Sequence, residues 1–185
     1  MTNPILDSTL RDLLDADFSA SPVAASGAGL TDYDTRLDDL SADAFRRRDA
    51  DAERFLARLE RIGDVAPDGE LLSADDAINR DLAAAVLRGR TILAPFEGWK
   101  RDPVTYSGPV TSGLFTLFLQ RLRPEPDLVD AAIARLGQVG GAVDAGIANL
   151  DPELAHPLIV ERGLGAARGA TRYVRQAVSV SAIPA

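Results

Sequence analysis

Apolar side chains recur at spacings of three and four along most of this chain, the period of helices that lie on a core. Leu6, Leu10, Leu13, Leu14 and Phe18 mark one amphipathic helix over residues 4–18, with Asp7, Arg11, Asp12 and Asp15 between them. Residues 19–41 mix Ser, Pro, Gly and Asp without any period. They read as an ordered loop, anchored by Tyr33, Arg36 and Leu37 and ending at the cap Ser41. From Ser41 to Gly63 the positions Phe45, Ala52, Phe55, Leu56, Leu59 and Ile62 line one helical face, while arginines and acids alternate around the rest. Ser73, with Asp76 three residues on, resembles a capping box. It opens a helix through Ile78, Leu82, Val86 and Leu87 that Pro95 should end or kink.

The second half begins with a stretch that no helical period explains. In it Pro103, Gly108 and Pro109 argue against regular helix, and a short helix is expected only from about Gly113 to Leu122, before Pro124. Pro126 suits the first turn of the next helix, which the row Leu128, Val129, Ile133, Leu136, Val139, Val143, Ile147 and Leu150 extends to residue 150. A last helix runs from near Pro157 to about Val178, with Gly163, Gly165, Ala166, Ala167, Gly169 and Ala170 making one part of it thin. Strand alternation of useful length is missing throughout. The expected fold is all-α: about six amphipathic helices with a long irregular connection, residues 95–112, in a single helical domain over residues 1–185.

Composition narrows the function more than it defines it. With 46% hydrophobic and 26% charged residues, the chain is ordinarily globular. The absence of cysteine removes disulfides, thiolate metal sites and thiol nucleophiles together. No apolar run reaches the length of a bilayer span, the arginines at 162, 168, 172 and 175 rule out a spanning last helix, and the N-terminus has no basic region before an apolar core. A cytoplasmic location without membrane association is the resulting expectation. Net charge is −8: residues 1–90 carry 19 acidic and 11 basic side chains, residues 91–185 carry 9 of each. Nucleic acid is therefore not an expected partner.

Chemistry-bearing patterns are mostly excluded. A helical zinc site needs two histidines one turn apart with a glutamate beside the first, and this chain has one histidine, His156, followed by Pro157. Serine chemistry lacks a Gly-x-Ser-x-Gly turn, and the glycines 137, 140, 141 and 146 lie within helical period rather than in a phosphate loop. Carboxylate pairs such as Asp38 and Asp39, or Asp75 and Asp76, read as caps and surface charge. One stretch stands apart. Residues 99–124, WKRDPVTYSGPVTSGLFTLFLQRLRP, hold the only Trp and the only Lys and pack Trp99, Arg101, Asp102, Pro103 and Tyr106 into eight positions. Arg101 and Asp102 would either pin a loop by fork-shaped hydrogen bonds or offer an arginine to a carboxylate, and the structural reading is the favoured one.

At these residues the chain resembles a known family. WKRDPVTY, then SGLFTLFLQR, a proline, a long RLGQV-type helix and NLDPE are similar to the amino-terminal third of the bacterial family of unknown function DUF885. The upstream YDTRLDDLSADAF resembles that family's Asp-x-Arg-Leu-Pro-Asp-Leu-Ser entry to a helix, with Asp38 where proline is common. The resemblance spans about Leu6 to Tyr173 and carries over Trp99, Arg101, Asp102, Pro103, Tyr106, Gly113, Leu114, Phe115, Asn149 and Glu161. It implies long helical proteins similar to HExxH zinc metallopeptidases, with the metal-binding helix well downstream of the region matched here.

The resulting expectation is an amino-terminal helical scaffold and cleft wall of a metallopeptidase-like hydrolase, inactive alone. The full-length protein would be a metal-dependent peptidase or amidase with a peptide-like substrate. No catalytic, cofactor or metal residue is assigned in this chain, and zinc is expected only in the full-length protein. Trp99, Arg101, Asp102, Tyr106 and Phe115 are the motif or cleft-lining candidates. The expected partner is a carboxy-terminal catalytic region or a complementary chain. The alternative is a non-enzymatic helical binding or interaction protein derived from the same family.

Overall fold

The computed structural model describes residues 3–65, 69 and 71–181, and in them the chain is all-α, with no strand beyond an isolated bridge between Val65 and Leu71. Eight α-helices are present among the described residues: α1 (Pro4–Ala20), α2 (Pro22–Gly27), α3 (Ala42–Leu59), α4 (Ala74–Leu93), α5 (Val104–Gln120), α6 (Glu125–Leu136), α7 (Val139–Asn149) and α8 (Pro157–Ser181). No described helix is long and apolar enough to cross a membrane. The chain divides into two compact units, Met1–Ala20 with Asp43–Glu97, and Ser21–Ala42 with Gly98–Ala185.

In the first unit α1, α3 and α4 close around Leu6, Leu13, Ala52, Phe55, Leu59, Ala84 and Leu87. The caps are local. Asn3 Oδ1 accepts from the Ile5 and Leu6 amides at 3.0 and 3.1 Å, and Ser73 Oγ accepts from the Asp76 amide at 3.1 Å as its capping spacing predicts. Arginines finish the unit: Arg90 grips Asp17 with two bonds of 2.8 Å, and Arg80 donates to the Ile62 carbonyl at 2.9 Å. The expected face of α4 is corrected here. Leu87 is buried as its row suggests, but Ile78, Leu82 and Val86 are exposed, and the other buried positions are Asp76 and Ala84. Ala84 and Leu87 are the α4 residues that enter the core of this unit.

In the second unit α5 is central, touching α2, α6, α7 and α8. Leu114 and Leu117 of α5 meet Leu128, Ala131 and Ala132 of α6, with Phe118, Leu136 and Tyr173 packed around them. Three boundaries differ from expectation. The loop 19–41 contains α2 and a 3-10 turn at Thr31–Tyr33. α5 starts at Val104 and passes through Gly108 and Pro109, so the irregular connection shortens to residues 94–103, itself two 3-10 turns. Proline there costs one backbone bond; burial against four helices outweighs it. The hydroxyls of Thr111, Ser112 and Thr116 bond the carbonyls one turn back. Finally, the helix expected over 126–150 is two, α6 and α7, separated at Gly137 and Gln138. At this break the Gln138 side chain bonds the Leu37 amide and the Thr35 carbonyl, 3.0 and 2.7 Å away, so the turn holds a distant segment.

Candidate functional site

The dense WKRDPVTY stretch folds into a knot that fixes the start of α5. Trp99 is buried within a 3-10 turn, Gly98–Lys100, and the Lys100 ammonium lies 5.0 Å from its ring centre. Asp102 then caps the helix, its Oδ1 accepting from the Val104 amide at 2.9 Å while its backbone carbonyl accepts from Thr105. One turn on, the buried Tyr106 hydroxyl reaches back and donates to the Trp99 carbonyl at 2.6 Å. Burial pushes the Tyr106 phenol pKa up, and a hydrogen bond with Asn149 partly opposes that shift. The phenol therefore stays neutral at physiological pH and works as a fixed donor.

The segment after α7 closes the knot from the other side. Asp151 donates its amide to the Lys100 carbonyl at 2.9 Å, and Asn149 Nδ2 donates to the Leu40 carbonyl at 2.9 Å. Arg101 reaches the Leu154 carbonyl at 3.5 Å, a long bond, and Arg162 of α8 pairs with the second oxygen of Asp102. Two glycines make the approach possible. A Cβ on Gly146 would stand 3.0 Å from Tyr106 Cγ, and one on Gly163 would stand 2.8 Å from both Cβ and Cγ of Pro103.

A second polar cluster holds the YDTRL segment. Arg135 is fully buried, and its guanidinium donates to three backbone carbonyls: Arg36 from Nε at 3.1 Å, Tyr33 from Nη2 at 3.2 Å, and Gly113 from Nη1. Burial pushes the pKa of this arginine down, and the carboxylates of Asp34 and Asp38 oppose that shift. Both carboxylates have structural bonds of their own. Asp34 accepts from Ser26 Oγ at 2.6 Å, and Asp38 accepts from the Val23 amide at 3.1 Å, capping the first turn of α2. A proline at position 38 could not supply that cap. Gly113 leaves the space: a Cβ there would be 3.2 Å from both Arg135 Nη1 and Val23 Cγ2.

Of the five motif candidates, the structure gathers Trp99, Arg101, Asp102 and Tyr106 around one helix start. Phe115 stands about 16 Å along α5 from that start by helical rise, 49% exposed and edge-on to the Tyr173 ring at 6.3 Å between centres. The residues that sequence reasoning missed are Arg135 and Gln138. A signal for the first was there: Leu128, Ala131, Ala132 and Arg135 form an i, i+3, i+4, i+7 row, which places an arginine at a core position of α6. Chemically both clusters hold backbone. Their donors end on carbonyls and their carboxylates on amides, hydroxyls or an arginine, an arrangement that fixes chain segments.

The family model described as "Bacterial protein of unknown function (DUF885)" matches residues 22–182. No curated protein and no solved structure matches the chain.

Proposed function

The chain belongs to the DUF885 family of bacterial proteins of unknown function, and from that membership we propose that its helices are the amino-terminal scaffold and one cleft wall of a zinc metallopeptidase-like hydrolase. In this reading a carboxy-terminal catalytic region or a complementary chain brings the metal ligands and the general base, and a peptide-like substrate lies against the wall. The residues described here do not themselves fit a zinc site. Among them no group of three His, Asp or Glu side chains stands close enough to share a metal. His156, the sole histidine, accepts the Leu158 amide on Nδ1 at 3.2 Å. No step of a reaction is assigned to this chain.

The observation that carries the reading is the use made of the family-like motifs. Arg135 and Gln138 from RLGQV secure YDTRL, and Asn149 and Asp151 from NLDPE secure the segments around Leu40 and Lys100. Motifs far apart in sequence thus meet as structural ties, the work of a scaffold. The exposed row Ile78, Leu82 and Val86 on α4 adds support, because the missing region would have an apolar face to cover. Purified chain incubated with zinc and general peptide substrates is expected to show no turnover; robust hydrolysis by this chain alone would refute the assignment. Dye binding to the uncovered faces is expected alongside. A monodisperse protein that binds no dye would favour the helical binding protein instead.

A further inference from the structure

We propose that the outward face of α8 is a docking surface for an acidic, amphipathic helix of a partner protein. The inner side of α8 is fixed by contacts within its own unit: Gly163 against Pro103, and Tyr173 against Phe115. With about 100° between successive residues, the opposite side carries Leu164, Arg168, Arg172 and Arg175, and all four are exposed. The arginines repeat at i, i+4 and i+7, so their charges stack in one stripe about 10 Å long.

This stripe differs from the arginines of α1 and α3. Arg11 pairs with Asp7, Arg46 with Asp43, and Arg54 with Asp51, each a helical turn away. Residues 162–185, by contrast, hold four arginines and no acidic residue. Arg162 is taken up by Asp102, whereas Arg168, Arg172 and Arg175 have no acid at three or four positions on either side. Stacked like charges weaken the helix that carries them, and an external carboxylate row reverses the sign of that effect. Guanidinium forks suit such carboxylates.

Other features of the face point to a protein rather than a polyanion. Leu164, 54% exposed, lies one turn before Arg168 on the same side of the helix. Gly165 and Gly169 have open space where a Cβ would stand, so a partner backbone can come close. An amphipathic helix can bury Leu164 while its acids meet the arginines; a phosphate backbone offers no apolar group for that contact.

The test uses the whole chain and a labelled synthetic helix carrying glutamates at i, i+4 and i+7 beside a row of leucines. Fluorescence anisotropy at low salt should show binding that a scrambled peptide of the same composition lacks. Changing Arg168, Arg172 and Arg175 together to Gln should weaken it about tenfold, as three exposed ion pairs would. The single change Arg172→Glu should weaken binding of the glutamate helix and restore it to a peptide with the facing glutamate replaced by arginine. Circular dichroism of these exposed-site variants should match the parent. No binding of the glutamate helix, equal binding of the scrambled peptide, or indifference to the arginine changes would overturn the proposal. So would binding to single-stranded DNA or phosphatidylserine vesicles with the peptide left free.

Discussion

Replacing Arg135 with Met keeps most of the side-chain volume and removes all three of its backbone bonds, which makes it the sharpest probe of how the second unit is held. The three carbonyls are not equally exposed to the loss. Tyr33 O also accepts from the Arg36 amide at 3.1 Å, and Gly113 lies inside α5, where its carbonyl keeps a helical partner. Arg36 O loses its guanidinium donor, but Arg36 is exposed and water can replace it at small cost. The two further charge-assisted bonds are worth about 1.5–3 kcal/mol each, but removing a buried guanidinium also removes its desolvation penalty of several kcal/mol. The balance is a destabilisation of about 2–4 kcal/mol. Trp99, the only tryptophan, is buried in the same unit and reports its unfolding by fluorescence. In urea, with a slope of about 2 kcal/mol/M, the midpoint should fall by about 1–2 M. Hydrogen exchange should speed up for amides of residues 31–40, the segment those bonds hold. An Arg135→Met protein as stable as the parent, with protection of residues 31–40 unchanged, would refute the assignment of Arg135 as the tie.

The glycines of α8 should divide by their surroundings. Gly163→Ala forces a Cβ to within 2.8 Å of Pro103 and should lower stability by about 1–3 kcal/mol, whereas Gly165→Ala and Gly169→Ala enter open space and should raise it by up to about 1 kcal/mol each; thermal denaturation reads both signs. Asp49 supplies a pH test. Burial first, then Glu53 and Glu97, raise its pKa above the ordinary 3.8. The folded state therefore holds this proton more tightly than the unfolded one, and the resulting stability is full below 3.8 and lost as pH rises through the raised value. Asp49→Asn should accordingly be more stable than the parent at pH 7, with the gap closing below that window; denaturation across pH that shows no such convergence would contradict the sign.

Much of the helical layout is legible in the residues themselves. The three-and-four rows of α1 and α3 bury Leu6, Leu13, Phe55 and Leu59 as their spacing predicts, and Ser73 caps α4 where its partner three residues on says it should. These features are local, set by periodicity and capping chemistry within one or two turns. What the spacing misjudges is decided by neighbours distant in sequence. Pro109 stays inside α5, on which four helices pack, and the row through residue 150 divides at Gln138, whose side chain is bound to residues 35 and 37. Ile78, Leu82 and Val86 carry a helical period yet lie outside, while Ala84 and Leu87 of the same helix enter the core.

The candidate site follows the same division. Sequence by itself marks Trp99, Asp102 and Tyr106 as an unusual cluster and, through its motifs, the family; it also excludes thiol chemistry and a histidine-pair metal site. Only the tertiary structure decides what the cluster is for, because a donor's role depends on which acceptor folding brings to it. Tyr106 meets the carbonyl of Trp99, and Arg135 meets carbonyls about a hundred residues away. Hydrogen bonds form over about 3 Å whatever the separation along the chain, so periodicity fixes which residues share a helix face and packing alone fixes which polar groups meet.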